Sequence, residues 1–212
     1  MKNLFAMLTP PQKEAGDGPP AKGWAWVDIE EGRLRGRIRQ FANSLPPELV
    51  SDFPKHDPHV TLIYGLAGTD PAPVAELLAG RLYAKGTLQP LDVFHNQDYD
   101  VLHIPVSSSC LGRMHWAIRN QLGVECSHSD YNPHITVAYL QPGTGKAFKG
   151  VKVFDGREVT FSHVKIKMAK EDPCSCEDAP IAVVPLDNPC EDEEHAAMVA
   201  EYRARVMKAL SR

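Results

Sequence analysis

One short pattern occurs twice in the chain, and no other feature constrains the fold as much. The two copies read DPHVTLIY, from Asp57 to Tyr64, and NPHITVAY, from Asn132 to Tyr139. After each proline, polar and apolar residues alternate, which is typical of a strand with one buried face. The repeat therefore predicts two lobes of similar build, each containing one motif strand.

Alternation decides which motif side chains share a face. It places the polar residues together on one face of their strands: His59 and Thr61 in the first copy, His134 and Thr136 in the second. The apolar residues and both tyrosines, Tyr64 and Tyr139, are predicted to face the core. Pro58 and Pro133 cannot donate a ladder hydrogen bond, so each motif strand is expected to begin beside its proline.

Hydrophobic periodicity, caps and turn residues predict the surrounding elements. Strands are predicted at residues 23–29, 91–96, 99–106 and 157–170, and helices at residues 30–46, 70–86 and 107–123. In each half, a strand and a helix precede the motif strand. The predicted fold class is α+β: a duplicated fold of two small lobes, followed by a C-terminal helix.

The remaining segments are predicted to lie outside the body, which spans residues 23–170. Residues 1–22 are rich in proline and glycine, which favours a flexible N-terminal segment. Residues 171–190 indicate an acidic, proline-broken linker. Residues 191–212 are predicted to form a helix with acids at its start and bases at its end, as the helix dipole favours. This helix is expected to dock on the body or on a protein partner.

Charge and composition exclude several classes of protein. Residues 171–194 carry nine acids and no lysine or arginine, while residues 1–170 carry 19 basic and 17 acidic side chains. This near-neutral body argues against general DNA binding, which needs many phosphate contacts. No stretch is long and apolar enough for a membrane span or a signal peptide. The odd number of cysteines, five, favours a reducing compartment such as the cytoplasm.

Two histidines on facing lobes suit the cleavage of a phosphodiester without a metal or another cofactor. One neutral imidazole can take a proton from the attacking water or hydroxyl, and the other, protonated, can deliver one to the leaving oxygen. The two threonine hydroxyls can donate hydrogen bonds to the non-bridging oxygens, where charge accumulates. Each lobe supplies only half of this set.

The paired motifs HVTL and HITV, within a duplicated α+β body, resemble the 2H phosphoesterase superfamily, also called 2′-5′ RNA ligase-like or cyclic phosphodiesterase proteins. The resemblance covers roughly residues 23–170 and implies a bilobal fold in which two antiparallel sheets face a central cleft, with helices on the outside. It implies hydrolysis or transfer at 2′,3′-cyclic or 2′-5′ phosphodiesters of a small nucleotide or an RNA end. It also implies that His59 and His134 are catalytic and that Thr61 and Thr136 bind phosphate.

Some phage members of this superfamily degrade the cyclic oligonucleotide signals of bacterial antiviral defence. The resemblance therefore adds such nucleotides to the candidate substrates, and the cytoplasm of a bacterium or an infected cell as the expected location. Two alternatives come from other classes: a module that binds a nucleotide or RNA end without turnover, and a phage structural component. An RNA-end ligase is disfavoured because the chain contains neither a K-x-D-G motif nor a P-loop.

Other residues carry weaker signals, each with a structural alternative. Trp24 and Trp26 share one strand face and could stack a base or pack a lobe. Lys165 could hold a phosphate or simply face solvent. Five further histidines are predicted to be structural: His56, His95, His103, His115 and His128. A zinc site is disfavoured because the spacing of its potential ligands matches no strong signature: Cys174, Cys176, Cys190 and His195.

Overall fold

The computed structural model describes residues 23–81, 83–124, 130–169 and 181–186. Within these residues, three α-helices pack against ten strands. The strands are β1 (Gly23–Asp28), β2 (Val50–Asp52), β3 (His59–Leu66), β4 (Ala84–Leu88), β5 (Asp92–His95), β6 (Asp100–Ser107), β7 (His134–Leu140), β8 (Glu158–Phe161), β9 (His163–Lys167) and β10 (Ile181–Pro185). The helices are α1 (Gly32–Asn43), α2 (Ala72–Leu78) and α3 (Ser109–Leu122).

All strand pairs are antiparallel, and they form one continuous sheet in the order β10-β9-β1-β3-β7-β6-β4-β8. β2 adds to β7, and β5 adds to β6. The prediction of two separate sheets is therefore wrong. The motif strands β3 and β7 are direct neighbours at the centre, joined by one register pair, Val60 with Ile135. Both residues are fully buried, so the two halves that were predicted as separate lobes share one core.

The sheet curls so that its two ends approach each other. The sequence predicts one long strand at residues 157–170, but the structure splits it into β8 and β9. β8 pairs with β4 at one end of the strand order, and β9 pairs with β1 near the other end. Only Ser162 separates them, and its backbone N–H donates to Oε1 of Glu30 at 2.8 Å rather than to a strand. This side-chain bond marks the break in the predicted strand.

The helices follow from local sequence signals. α1 buries Leu34, Ile38 and Ala42 at four-residue intervals, as an amphipathic helix should. α3 begins where the Ser108 hydroxyl accepts from the backbone N–H of Leu111, and it ends at Gly123, which has a left-handed φ of 63°. The apolar faces of these helices and of the sheet share one core.

The second predicted helix, residues 70–86, is too long. α2 ends at Leu78, and Gly80 takes a left-handed φ of 80°, which stops the helix. Gly86 lies in β4 instead of ending a helix. A Cβ there would come within 2.6 Å of a Val106 methyl, so the glycine permits close packing between β4 and β6.

One part of the predicted linker is also a strand. Residues 181–185 form β10, which pairs with β9 through five register pairs from Ile181 with Lys167 to Pro185 with His163. The predicted N-terminal segment, linker residues 171–180 and 187–190, and the C-terminal helix lie outside the described residues, as do His128 and the four potential zinc ligands. Among the helices of the described part of the chain, none is long and apolar enough to cross a membrane.

Candidate active site

The junction of β3 with β7, here called the seam, brings four motif side chains into one cluster. Because Val60 pairs with Ile135 in antiparallel register, His59 faces Thr136 and Thr61 faces His134. Opposite residues of such a pair share a face, with Cα atoms about 4.5–5.5 Å apart. We call the sheet face with these four residues the cleft face; the Val60 and Ile135 side chains point the other way, into the core.

Both motif strands contain a β-bulge directly after the threonine. In β3 the pairing with β1 skips Leu62, and in β7 the pairing with β6 skips Val137. The extra residue reverses the inside–outside alternation beyond it. The same irregularity at the same motif position shows that the two copies share backbone shape as well as sequence.

The bulges correct the prediction that both motif tyrosines face the core. Tyr64 is the register partner of Trp24 and is 63% exposed. Tyr139 is half-buried, and its ring packs edge-on against Tyr99 with centroids 5.4 Å apart. Because the strands run in opposite directions, the two tyrosines extend the cleft face at opposite ends.

Each motif histidine is oriented by the backbone two residues before it. Nδ1 of His59 lies 2.7 Å from the carbonyl oxygen of Asp57, and Nδ1 of His134 lies 2.7 Å from that of Asn132. A carbonyl oxygen only accepts, so each Nδ1 must carry the hydrogen. In the neutral ring, Nε2 then keeps a free lone pair for proton transfer.

The prolines of the motifs contribute to this orientation. A residue that precedes proline is restricted to extended backbone, which limits the directions its carbonyl can take. On the His59 side, the carboxylate of Asp57 is also bound by two arginines of α1. Arg39 forms a close ion pair with it, and Arg35 lies 3.8 Å away. The helix thereby holds the residue whose carbonyl orients His59.

Both motif histidines are less basic than free imidazole. Burial lowers the pKa of His59 from 6.5 to about 4, although the Asp28 carboxylate partly raises it, and nearby His56 lowers it further. Burial also lowers the pKa of His134, where the Asn132 carbonyl opposes the shift and His59 adds to it. In the free protein both rings are therefore neutral at pH 7.

A pair of indoles and an ion pair surround His59. The Trp24 and Trp26 rings stack with centroids 4.1 Å apart, and Trp24 meets His59 edge-on at 5.4 Å. Trp26 donates from Nε1 to Oδ1 of Asp28 at 2.9 Å, and Lys165 forms a close ion pair with the other carboxylate oxygen. Lys165, a predicted phosphate contact, is thus already paired with Asp28.

His103, predicted to be structural, lies in the site beside His134. It is the register partner of Thr136, and its ring meets His134 edge-on with centroids 5.1 Å apart. Phe94 contacts both rings: it stacks on His103 at 3.9 Å and lies edge-on to His134 at 5.0 Å. Burial lowers the pKa of His103 to about 4, so this ring is also neutral at pH 7.

The other described histidines have distinct surroundings. His56 lies 6.2 Å from His59 between ring centroids, so it borders the site although the sequence predicts a structural role. His95 binds the buried Asp100 carboxylate at 2.8 Å. His115 of α3 donates from Nδ1 to the carbonyl of Leu62 at 2.6 Å, the residue of the β3 bulge. His95 and His115 therefore serve the fold.

The sequence also misses Asp28 and Phe94. Asp28 lies on β1, next to β3, and Phe94 lies on β5, which pairs with β6. Strand pairing places both side chains on the cleft face. Their own strands show only ordinary alternation, so pairing would have to be known to find them. In the described part of the chain, no group of three or more His, Cys, Asp or Glu side chains is placed to hold a metal ion.

Comparison with known proteins identifies a family and similar folds. A family model described as the 2′-5′ RNA ligase superfamily matches residues 19–166. The crystal structure of TT0787 of Thermus thermophilus is 15% identical, with a TM-score of 0.56 over 79% of this chain and 99% of that chain. The crystal structure of E. coli LigT complexed with 3′-AMP is 17% identical, with a TM-score of 0.52 over 80% and 97%. No curated protein matches the chain.

Proposed function

The chain belongs to the 2′-5′ RNA ligase superfamily, and from this premise we propose that it is a metal-independent phosphodiesterase that uses two histidines as general acid and base. The family supports a phosphoesterase activity. The candidate bonds are a 2′,3′-cyclic phosphate, a 2′-5′ linkage and a phosphodiester of a small cyclic oligonucleotide such as an antiviral signalling nucleotide. His59 and His134 are the proposed proton-transfer groups, and Thr61 and Thr136 the proposed phosphate ligands.

One observation carries the mechanism: the matched 2.7 Å hydrogen bonds that place a proton on Nδ1 of both histidines across the seam. Because both rings are held in the same tautomer, both Nε2 atoms are available to transfer protons at one phosphate. A water or ribose hydroxyl attacks phosphorus and gives its proton to one Nε2. The other Nε2, protonated, gives its proton to the leaving oxygen as the bond to phosphorus breaks.

We assign the acid to His59 and the base to His134. Asp28 lies beside His59 and stabilises its protonated form, although burial outweighs this effect in the free protein. Among the causes that shift His134 within the described residues, no carboxylate occurs. A bound phosphodiester anion adds to the charge of Asp28, so the complex favours a protonated His59.

The pH profile of kcat/KM will be bell-shaped, with its maximum below pH 6.5. This parameter reports the acid and base of the free enzyme, and the pKa of each motif histidine is lowered from 6.5 in that state. As pH rises above 6.5, the free enzyme loses the proton that its acid must deliver. The bound anion raises the pKa of that acid, so the kcat profile will lie at higher pH. A kcat/KM maximum above pH 6.5 would contradict the prediction.

The Asp28→Asn variant distinguishes the two role assignments in the same measurement. Loss of the carboxylate lowers the pKa of His59. If His59 is the acid, the maximum of the kcat/KM profile falls, because fewer molecules carry a proton on His59 while His134 is neutral. If the maximum does not fall, His59 is the base and the roles of the two histidines are exchanged.

Turnover in the presence of EDTA tests the proposed activity itself. The substrate panel consists of 2′,3′-cyclic nucleotides, 2′-5′ oligonucleotides, ADP-ribose cyclic phosphate and cyclic di- and trinucleotides, with products mapped by mass. We expect at least one bond to be cleaved at a rate that EDTA does not change, because two imidazoles supply both proton transfers. A requirement for added metal would contradict the mechanism. Binding without any cleavage would indicate a nucleotide-binding module instead.

A further inference from the structure

Each motif histidine is met edge-on by a stacked pair of aromatic rings. Beside His59 the pair is Trp24 on Trp26, stacked at 4.1 Å with 15° between the ring planes. Beside His134 the pair is Phe94 on His103, stacked at 3.9 Å with 13° between the planes. The sequences of the two pairs have nothing in common, so the motif repeat alone does not reveal this arrangement.

The inner rings of the two pairs occupy equivalent places in the sheet, whereas Trp24 shares β1 with Trp26 and Phe94 lies on β5, one strand beyond His103. Trp26 is the register partner of Thr61, and His103 is the register partner of Thr136. The inner ring of each pair is therefore next to a motif threonine. The outer ring lies beyond it and faces the histidine edge-on, Trp24 at 5.4 Å from His59 and Phe94 at 5.0 Å from His134.

Within each pair, the inner ring is buried and the outer ring is not. Trp26 is 6% exposed and His103 is 3% exposed, whereas Phe94 is 36% exposed and Trp24 is half-buried. A pair that served only the core would bury its outer ring as well, because apolar area is stabilised by removal from water. Each outer ring is instead backed by a rigid ring on one face and keeps part of its surface exposed, and Trp24 also lies beside His56 with ring centroids 5.4 Å apart.

A partly exposed aromatic ring with a rigid backing suits the flat face of a nucleobase. A 2′,3′-cyclic mononucleotide has a single base and would leave one of the two rings unused. A phosphodiester that joins two nucleosides has one base on each side of the phosphate. The seam places the proposed phosphate site between the rings, so two bases can reach them at once.

We propose that the substrate is a phosphodiester between two nucleosides, in a linear dinucleotide or a small cyclic oligonucleotide, and that Trp24 and Phe94 each stack one of its bases. This inference rests on the proposed function, since it places the scissile phosphate at His59 and His134. It excludes 2′,3′-cyclic mononucleotides as the preferred substrates. It also extends the site to Phe94, which no sequence motif marks.

Removal of one ring and one base at a time tests the two stacking sites. The variants are Trp24→Ala and Phe94→Ala, with Trp116→Ala as a matched control, since Trp116 is an exposed tryptophan on α3, outside the cleft face. The substrates are a 2′-5′-linked and a 3′-5′-linked adenosine dinucleotide, the same dinucleotides with either base removed, and 2′,3′-cyclic AMP. Both kcat/KM and equilibrium Kd are measured.

With the preferred dinucleotide, we expect kcat/KM of Trp24→Ala and of Phe94→Ala to fall about 10- to 100-fold, and Kd to rise by a similar factor. Each variant should lose almost nothing with the dinucleotide that lacks the base stacked on its ring, and the two variants should respond to opposite bases. A general structural role would lower activity equally with every substrate. Trp116→Ala should match the wild type throughout.

Two outcomes overturn the inference while the proposed function stands. One is cleavage of 2′,3′-cyclic AMP as efficient as that of either dinucleotide. The other is a loss in Trp24→Ala or Phe94→Ala that does not depend on which base is present. If no substrate is cleaved, the proposed function fails instead, and the Kd series alone decides whether both bases are bound.

Discussion

Replacement of His59 or His134 with alanine will lower kcat by about 10²- to 10⁴-fold, because each ring performs one of two proton transfers. The described residues around the seam offer no simple substitute: His103 is buried and neutral, and His56 lies on the side of His59 alone. The double variant should be little worse than the more damaged single variant, since the acid and the base act as one unit. Single-turnover rates with saturating substrate give the comparison.

His163→Ala is the matched control for the two histidine variants. Its ring is exposed on β9 and contacts Ser162 and Glu30 rather than the seam, so turnover should stay near that of the wild type. Far-ultraviolet circular dichroism and Kd for the substrate should be similar for all variants. Turnover that survives in either His59→Ala or His134→Ala would show that the catalytic assignment is wrong.

Much of the framework can be predicted from the sequence because it depends on local chemistry. The ends of α3 follow from Ser108 and Gly123, and the buried stripe of α1 follows from its apolar spacing. The motif strands begin at the predicted histidines, and the four polar motif residues do share one face. In each case the signal lies within a few residues of the structure that it produces.

The direction of Tyr64 and Tyr139 could not be predicted in the same way. Alternation assumes that each residue has a partner, but Leu62 and Val137 have none in the neighbouring strand. A bulge is a property of two paired strands, and it leaves no mark in the alternating pattern of one of them. The tyrosines therefore lie on the cleft face although they stand five positions after the histidines.

Site residues on neighbouring strands could not be predicted from the sequence for a related reason. His103 is separated from Thr136 by a helix and loops along the chain, yet the two are register partners. Asp28 reaches His59 in the same way across β1 and β3. A lone histidine or aspartate in an alternating strand is most simply interpreted as part of a solvent-exposed polar face. Only the long-range pairing of strands shows which residue lies opposite it. The repeated motif predicts the reactive groups but not the residues that tune them.

The seam explains why the motif is repeated as a unit of histidine and threonine. Antiparallel pairing at Val60 and Ile135 places the histidine of each copy opposite the threonine of the other. Each proposed proton-transfer group thus has a hydroxyl from the opposite half beside it. Neither half could supply this arrangement alone, so a change of register between β3 and β7 would separate all four groups.

Replacement of Thr61 or Thr136 with valine is the second change with a large expected effect. Valine keeps the branched shape, which suits a strand, but removes the hydroxyl that would donate to a non-bridging oxygen of the phosphate. Because negative charge grows on these oxygens in the transition state, each variant should lose about 10²- to 10³-fold in kcat. KM should change much less, since the ground-state phosphate can still contact water and the remaining hydroxyl.

Thr61→Ser and Thr136→Ser provide the controls, because serine keeps the hydroxyl and loses only the methyl group. Both should retain most of the wild-type kcat, which a role in packing alone would not explain. Because both hydroxyls would bind the same phosphate, their losses are expected to couple rather than multiply in the double valine variant. If valine and serine variants lose activity equally, the threonines support the strand rather than the phosphate, and the proposed stabilisation of charge must come from other groups.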